Sequence, residues 1–213
     1  MQKLLIKFLS FFCLLLMSLN SPLLMAQSGT RLGEFFDQLK TFQAEFIQIQ
    51  FDEYGEVSQR SEGELWVQRP GRFRWDYKQP FAQMMLGKEG SFWLYDEDLE
   101  QLTIRKIDQA MASSPLLMLS SDVAIEQLFK IVSIRHEGAY HWYELIARSA
   151  EASFETFRMA LDDAGNLIEM ELVDGMSQRI LVSFSDVQIN RAIDSKVFDF
   201  EVPAGVDVIG ELP

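Results

Sequence analysis

Cysteine is almost absent from this chain: Cys13 is the only one in 213 residues. It lies in a segment that reads as a secretory leader, residues 1–26. Lys3 and Lys7 precede an apolar run from Phe8 to Leu16, and Leu24 and Ala26 stand where a cleavage site expects small or apolar residues. A membrane anchor is the alternative, but that run is short for a span of roughly 20 residues. Bulky Phe11 and Phe12 stand before Cys13, so it reads as part of the leader's apolar core rather than as a lipidation site. The mature chain, residues 27–213, then holds no thiol. No disulfide can staple it, although a secreted compartment would permit one. Its length suits a single domain with a sizeable core.

Positive charge is scarce as well. Removing Lys3 and Lys7 takes the 19 basic residues to 17 against 32 acidic ones, a net charge of −15. Such a chain is a poor partner for nucleic acid or an anionic membrane surface. The acidity supports solubility, and a solvated acidic surface needs no partner.

Catalytic signatures are missing too. There is no Gly-x-Ser-x-Gly elbow and no phosphate-binding glycine loop. The two histidines, His136 and His141, lie five apart on an extended segment and are expected on opposite faces, which argues against joint metal binding. Asp96, Glu97 and Asp98 lack the glycine and terminal glutamate of a calcium loop and read as a solvated hairpin tip. Among 32 acidic residues some pair always falls close, so paired carboxylates carry no weight. A binding protein without cofactor or metal is the reading. The rival from another class is a lipid-modifying hydrolase, which needs a Ser-His-Asp or metal constellation that so few histidines argue against.

What the chain does contain is alternation. Leu32, Phe35, Phe36 and Leu39 first form an amphipathic stripe at helical spacing, with Ser28 or Thr30 available as the cap. After Phe42 the period changes to two. Strands are expected around Phe46–Ile49, Glu64–Tyr77, Met84–Leu86, Ser91–Tyr95, Gln101–Ile107, Trp142–Ala147, Ser153–Leu161, Leu167–Leu172, Arg179–Phe184 and Val197–Phe200. Pro70-Gly71 reads as a bend or bulge, and Asp163-Ala164-Gly165-Asn166 as a hairpin turn. The fold class is mainly β with helices (α+β), an antiparallel sheet curling toward a barrel. Pro115–Leu119 is short and wholly apolar, and Asp122 looks like the cap of a helix running to Phe129. Two short helices inserted here can plug one mouth of a curled sheet.

One stretch stands out, Leu65-Trp66-Val67-Gln68-Arg69-Pro70-Gly71-Arg72-Phe73-Arg74-Trp75. Leu65, Val67, Arg69, Phe73 and Trp75 share one strand parity. An arginine on an apolar face is costly to bury alone, so it must find partners or face a cavity that opens.

These residues carry a resemblance. Phe42-Gln43-Ala44-Glu45-Phe46 comes first, then Gly63-Glu64-Leu65-Trp66-Val67-Gln68-Arg69-Pro70 with Phe73 and Trp75. Trp93-Leu94-Tyr95-Asp96, Leu99-Glu100-Gln101, the Pro115–Leu119 segment and Phe198 through Val208 follow in order. In that order they resemble the LolA family of periplasmic lipoprotein carriers. The resemblance implies an incomplete antiparallel β-barrel with an α-helical lid over a hydrophobic cavity. It implies a periplasmic monomer that takes lipoproteins from the inner-membrane LolCDE transporter and shields their acyl chains. It implies delivery to the outer-membrane receptor LolB, with no hydrolysis by the carrier itself. Arg69 would tether the lid through backbone carbonyls. Phe73 and Trp75 would sit at the cavity mouth, with ordinary sheet core as the competing role. Leu32, Phe35, Phe36, Leu65, Val67, Leu116, Leu117 and Met118 would line cavity or lid. Two relatives of the same architecture fit less well. The receptor needs a lipidation cysteine at the cleavage site, and a periplasmic stress sensor needs a second domain.

Overall fold

A computed structural model of the chain describes residues 30–107, 115–148, 156–173 and 178–210. The first helix, α1, is Arg31–Gln38. Its cap is Thr30, whose hydroxyl accepts the Gly33 amide at 3.1 Å. The apolar stripe is buried as its spacing requires. Thr30→Ala removes that acceptor and is expected to cost about 1 kcal/mol, a fall of about 3 °C in Tm for a chain of this size. Thermal unfolding followed by circular dichroism checks it, and an unchanged Tm would show that α1 is held by packing alone.

Among the described residues twelve strands follow in one sheet. They are β1 (Thr41–Phe51), β2 (Val57–Gln68), β3 (Arg72–Gln79), β4 (Gln83–Lys88), β5 (Ser91–Asp96) and β6 (Gln101–Lys106). Two short helices intervene, α2 (Pro115–Ser120) and α3 (Ile125–Leu128). Then come β7 (Phe129–Glu137), β8 (Tyr140–Ala147), β9 (Thr156–Leu161), β10 (Leu167–Val173), β11 (Arg179–Ile189) and β12 (Asp207–Ile209). The order across the sheet is β12-β6-β5-β4-β3-β2-β1-β11-β10-β9-β8-β7. Every neighbouring pair is antiparallel except β12 with β6. The end strands β12 and β7 are not paired with each other, so the barrel is incomplete.

Each face of the β2–β6 half packs on something different. The concave face forms one large cluster that takes residues from α1, β1–β3, α2 and β8–β11. Contributions from both halves of the sheet require it to curl. The outer face of the β4–β6 hairpins carries Met84, Leu86, Trp93, Leu102 and Ile104, and the C-terminal segment covers it with Phe198. Arg74 holds that segment by donating to the Val197 carbonyl at 3.0 Å while paired to Asp76 at 2.9 Å.

Several expectations need correcting. Pro70-Gly71 is a full reversal, not a bend: β2 and β3 are antiparallel partners, with Leu65 opposite Trp75 and Val67 opposite Phe73. Cross-strand partners share a face, so the five residues of one parity still lie together. Gly71 supplies the positive φ, +73°, that the reversal needs. Val197–Phe200 is not a strand. Asp194 caps a 3-10 turn over Ser195–Phe198 by accepting the Lys196 amide. Its apolar side chains find burial on the sheet's outer face instead of a ladder. The closing strand lies further on, at Asp207–Ile209. Asp122 caps nothing: α3 starts after Ala124 with no side-chain cap and ends at Leu128, because Phe129 already begins β7. Residues 153–155 of the strand expected over Ser153–Leu161 lie outside the described residues.

Candidate functional site

The apolar residues expected in the site are brought together. Leu32, Phe35, Phe36, Leu65, Val67, Phe73, Trp75, Leu117 and Met118 all belong to the concave cluster. The side chain of Leu116 lies outside the described residues, although its backbone is part of α2. One placement is corrected. Phe73 is 0% exposed and Trp75 5%, so in this closed arrangement neither lines an open mouth. Phe73 packs against Phe92 and over Gly87, Trp75 packs against Phe46 and Tyr77, and α2 lies against β3. Leu117, Met118, Leu119 and Ser120 are all buried, so the described side chains of α2 all face the interior.

Arg69 holds this arrangement. It projects from the β2–β3 reversal between the ends of two helices. Its Nη1 donates to the Phe36 carbonyl in the last turn of α1 at 2.5 Å. Its Nε donates to Leu119 O at 3.0 Å and Nη2 to Met118 O at 3.5 Å, both at the end of α2. The last carbonyls of a helix lack intrahelical donors and carry the negative end of its dipole. A cation with five donors in a planar fork satisfies several of them at once without a carboxylate. The guanidinium also lies 5.4 Å from the Phe36 ring centroid, within cation–π range. Burial lowers its pKa from the ordinary arginine value, while Asp122 and Asp37 raise it. It stays charged at any accessible pH. Backbone bonds complete the clamp: Arg69 N donates to Lys40 O at 2.9 Å and Gly71 N to Ser120 O at 2.8 Å.

Some members of the site had no sequence signal. Asn190 closes the C-terminal end of α1, accepting the Lys40 amide at 2.7 Å and donating to Gln38 O at 2.9 Å. It is 150 residues away in the chain. Gly87 lies under the ring of Phe73, opposite it on β4. A Cβ there would meet that ring at 2.0 Å. A lone glycine in a strand can mark such a close approach, but the strand it serves could not be read from the sequence. Phe42, Phe46, Phe157 and Met159 also enter the cluster.

The histidines are also corrected. They occupy opposite arms of the β7–β8 hairpin, paired in register, with ring centroids 4.1 Å apart. The reversal at Gly138 makes neighbours of residues that one straight strand would have separated. His141 Nε2 lies 2.7 Å from Asp163 Oδ1 and 3.1 Å from Arg31 Nη1, a polar cluster beside the start of α1. Among the described residues no group of three or more His, Cys, Asp or Glu is arranged to hold a metal.

A curled sheet left open at one seam, with helices packed on its largely apolar inner face and Arg69 hydrogen-bonded to backbone carbonyls of two of them, defines a lidded half-barrel. Residues 37–201 match the family model described as outer membrane lipoprotein carrier protein LolA. The chain therefore belongs to the LolA family. It is 39% identical over 179 residues to an outer-membrane lipoprotein carrier protein of Methylococcus capsulatus, covering 84% of this chain and 86% of that one. It is 36% identical over 184 residues to one of Nitrosomonas europaea, covering 86% and 89%. An uncharacterized conserved protein from Thermus thermophilus shares the fold at TM-score 0.52 and 11% identity, covering 84% of this chain and 94% of that one.

Proposed function

We propose that the mature chain, residues 27–213 as one domain, is a periplasmic carrier without catalytic activity. It accepts lipoproteins from LolCDE, shields their acyl chains under the lid and delivers them to LolB. The observation that carries this is the Arg69 tether, a removable fastening of two helices over an interior that is apolar at that end. Cargo breaks those bonds, opens α2 and takes the place of its side chains, and release restores them.

The magnitudes favour a reversible exchange. A buried methylene contributes about 0.8 kcal/mol, so one acyl chain of ~16 carbons gains on the order of 10 kcal/mol. Reburying Leu117, Met118 and Leu119 recovers about 1.5–3 kcal/mol each, or roughly 5–9 kcal/mol together. Lid and acyl chain compete on similar terms, so the carrier holds cargo and can still surrender it.

The direct experiment incubates the mature protein with inner-membrane vesicles carrying LolCDE, ATP and a triacylated lipoprotein. A soluble one-to-one complex is expected only when both ATP and the protein are present. LolB-bearing membranes should then deplete it. Lipoprotein that stays in the vesicles, with the protein folded, would refute the carrier reading.

A further inference from the structure

The concave face changes character along its length. Near the Arg69 end every inward residue of β1–β4 is apolar or glycine. Toward the other end all four strands turn polar, β3 and β4 one step before β1 and β2, because Tyr77 pairs with Gly63. Phe46 gives way to Gln48 on β1, Gly63 to Ser61 on β2, Trp75 to Tyr77 on β3 and Met85 to Gln83 on β4. Gln50 and Gln59, partners in register, extend the polar zone by one step. These residues line a cavity of about 320 Å³. The neighbouring strand on the other side of β1 does not change with them, since Gln48 and Gln50 pair in register with Val182 and Ile180 on β11.

The polar zone is almost free of charge in a strongly acidic chain. Among its described lining residues Asp96 is the one carboxylate, and it accepts from Gln83 Nε2 at 3.3 Å. Tyr77 donates its hydroxyl to Gln48 Oε1 at 3.0 Å. Burial pushes the Tyr77 pKa up to about 12, so it remains a neutral phenol. With Oε1 of Gln48 committed, its two amide N–H groups remain as donors for a ligand. An aromatic ladder joins this zone to the apolar interior: Phe46 lies 4.8 Å from Trp75 and 5.2 Å from Tyr77 between ring centroids.

We propose that this uncharged collar binds the acyl-ester and amide carbonyls at which the fatty chains of a lipoprotein join its modified N-terminus, while the chains run into the apolar interior. Ester and amide carbonyls need donors, and the glutamine amides supply them. The collar holds no cation for a phosphate, and Asp96 stands beside it, so a phospholipid headgroup finds no partner. The collar thus distinguishes lipoprotein from the bulk lipid of the membrane it is drawn from. This inference rests on the carrier reading above.

The test compares binding of the mature protein to a tripalmitoylated cysteinyl tetrapeptide and to its hexadecyl-ether analogue, which lacks the ester carbonyls. The ester probe should bind roughly five- to tenfold tighter, the effect of one net hydrogen bond. Gln48→Leu should bring the two within about twofold by removing that bond. Gln50→Leu, at a half-buried position that tolerates the change, provides a second variant if Gln48→Leu does not fold. A phosphatidylglycerol with the same chains should bind more weakly than the peptide. Equal binding of ester and ether probes by the unaltered protein would overturn the collar and leave the carrier reading intact. So would discrimination that survives both substitutions. Phosphatidylglycerol binding as tightly as the peptide would overturn the assignment to lipoprotein. Failure of every acylated probe to bind would bring down the carrier reading itself.

Discussion

Arg69→Leu is expected to give a folded carrier that loads cargo and does not pass it on. The substitution removes every side-chain donor that ties α2 to α1. Hydrogen bonds from a charged group contribute about 1.5–3 kcal/mol each and are not additive, so a loss of about 3 kcal/mol from the closed state is a fair central figure. Only the closed state uses these bonds. Losing them shifts the population toward the open form and tightens apparent affinity by about 100-fold. Release slows correspondingly, because the lid no longer competes with the acyl chain. The soluble complex should therefore form as before or in greater yield, while transfer to LolB-bearing membranes over a fixed interval falls steeply. Hydrogen exchange at the α2 amides of the empty protein should quicken. Arg69→Lys should lie between, since an ammonium is a point charge that cannot reach carbonyls of two helices in one plane. Wild-type transfer by Arg69→Leu would show that the tether has no part in release.

Gly87→Val is expected to damage the closed state as much as losing the ring it supports. Phe73 rests where a side chain at position 87 would stand, and the 2.0 Å approach leaves no slack for a ring with 0% exposure. Overpacking a close-packed core costs about 1–3 kcal/mol and more where the neighbour cannot turn aside. Phe73→Ala empties the same space and should cost about 3–5 kcal/mol. Either variant should lower Tm by about 10 °C in a chain of this length. The double variant decides between crowding and a separate defect. If valine occupies the volume that the ring vacates, the two losses fall short of their sum by about 2 kcal/mol. Strict additivity in urea unfolding would mean that ring and glycine do not share the space.

The collar and the tether differ in how legible they were. Alternation made the rows on β1–β3 visible, and the single parity of Leu65, Val67, Arg69, Phe73 and Trp75 survived the discovery that a hairpin divides them. The same reasoning failed for His136 and His141. A straight strand was assumed where Gly138 reverses the chain, and period-two parity says nothing across an unrecognised turn. It failed for Val197–Phe200 too, because apolar side chains seeking burial look alike whether a ladder or the outer face of a sheet receives them.

By itself the sequence determined the acidic balance, the mainly β class, the capped first helix and the apolar identity of the Pro115–Leu119 segment. All of these depend on composition or on patterns within about a dozen residues, where local sterics and periodicity act. Only the tertiary structure decided what Arg69 touches, how Asn190 closes α1, that Gly87 makes room for Phe73, and that four neighbouring strands turn polar within one step of each other. Arg69 and Leu119 are 50 residues apart, and Lys40 and Asn190 are 150 apart. Lys40 meets Asn190 because β1 and β11 pair side by side, and Arg69 meets Leu119 where α2 packs on β2 and β3; neither pairing is a local property of the chain.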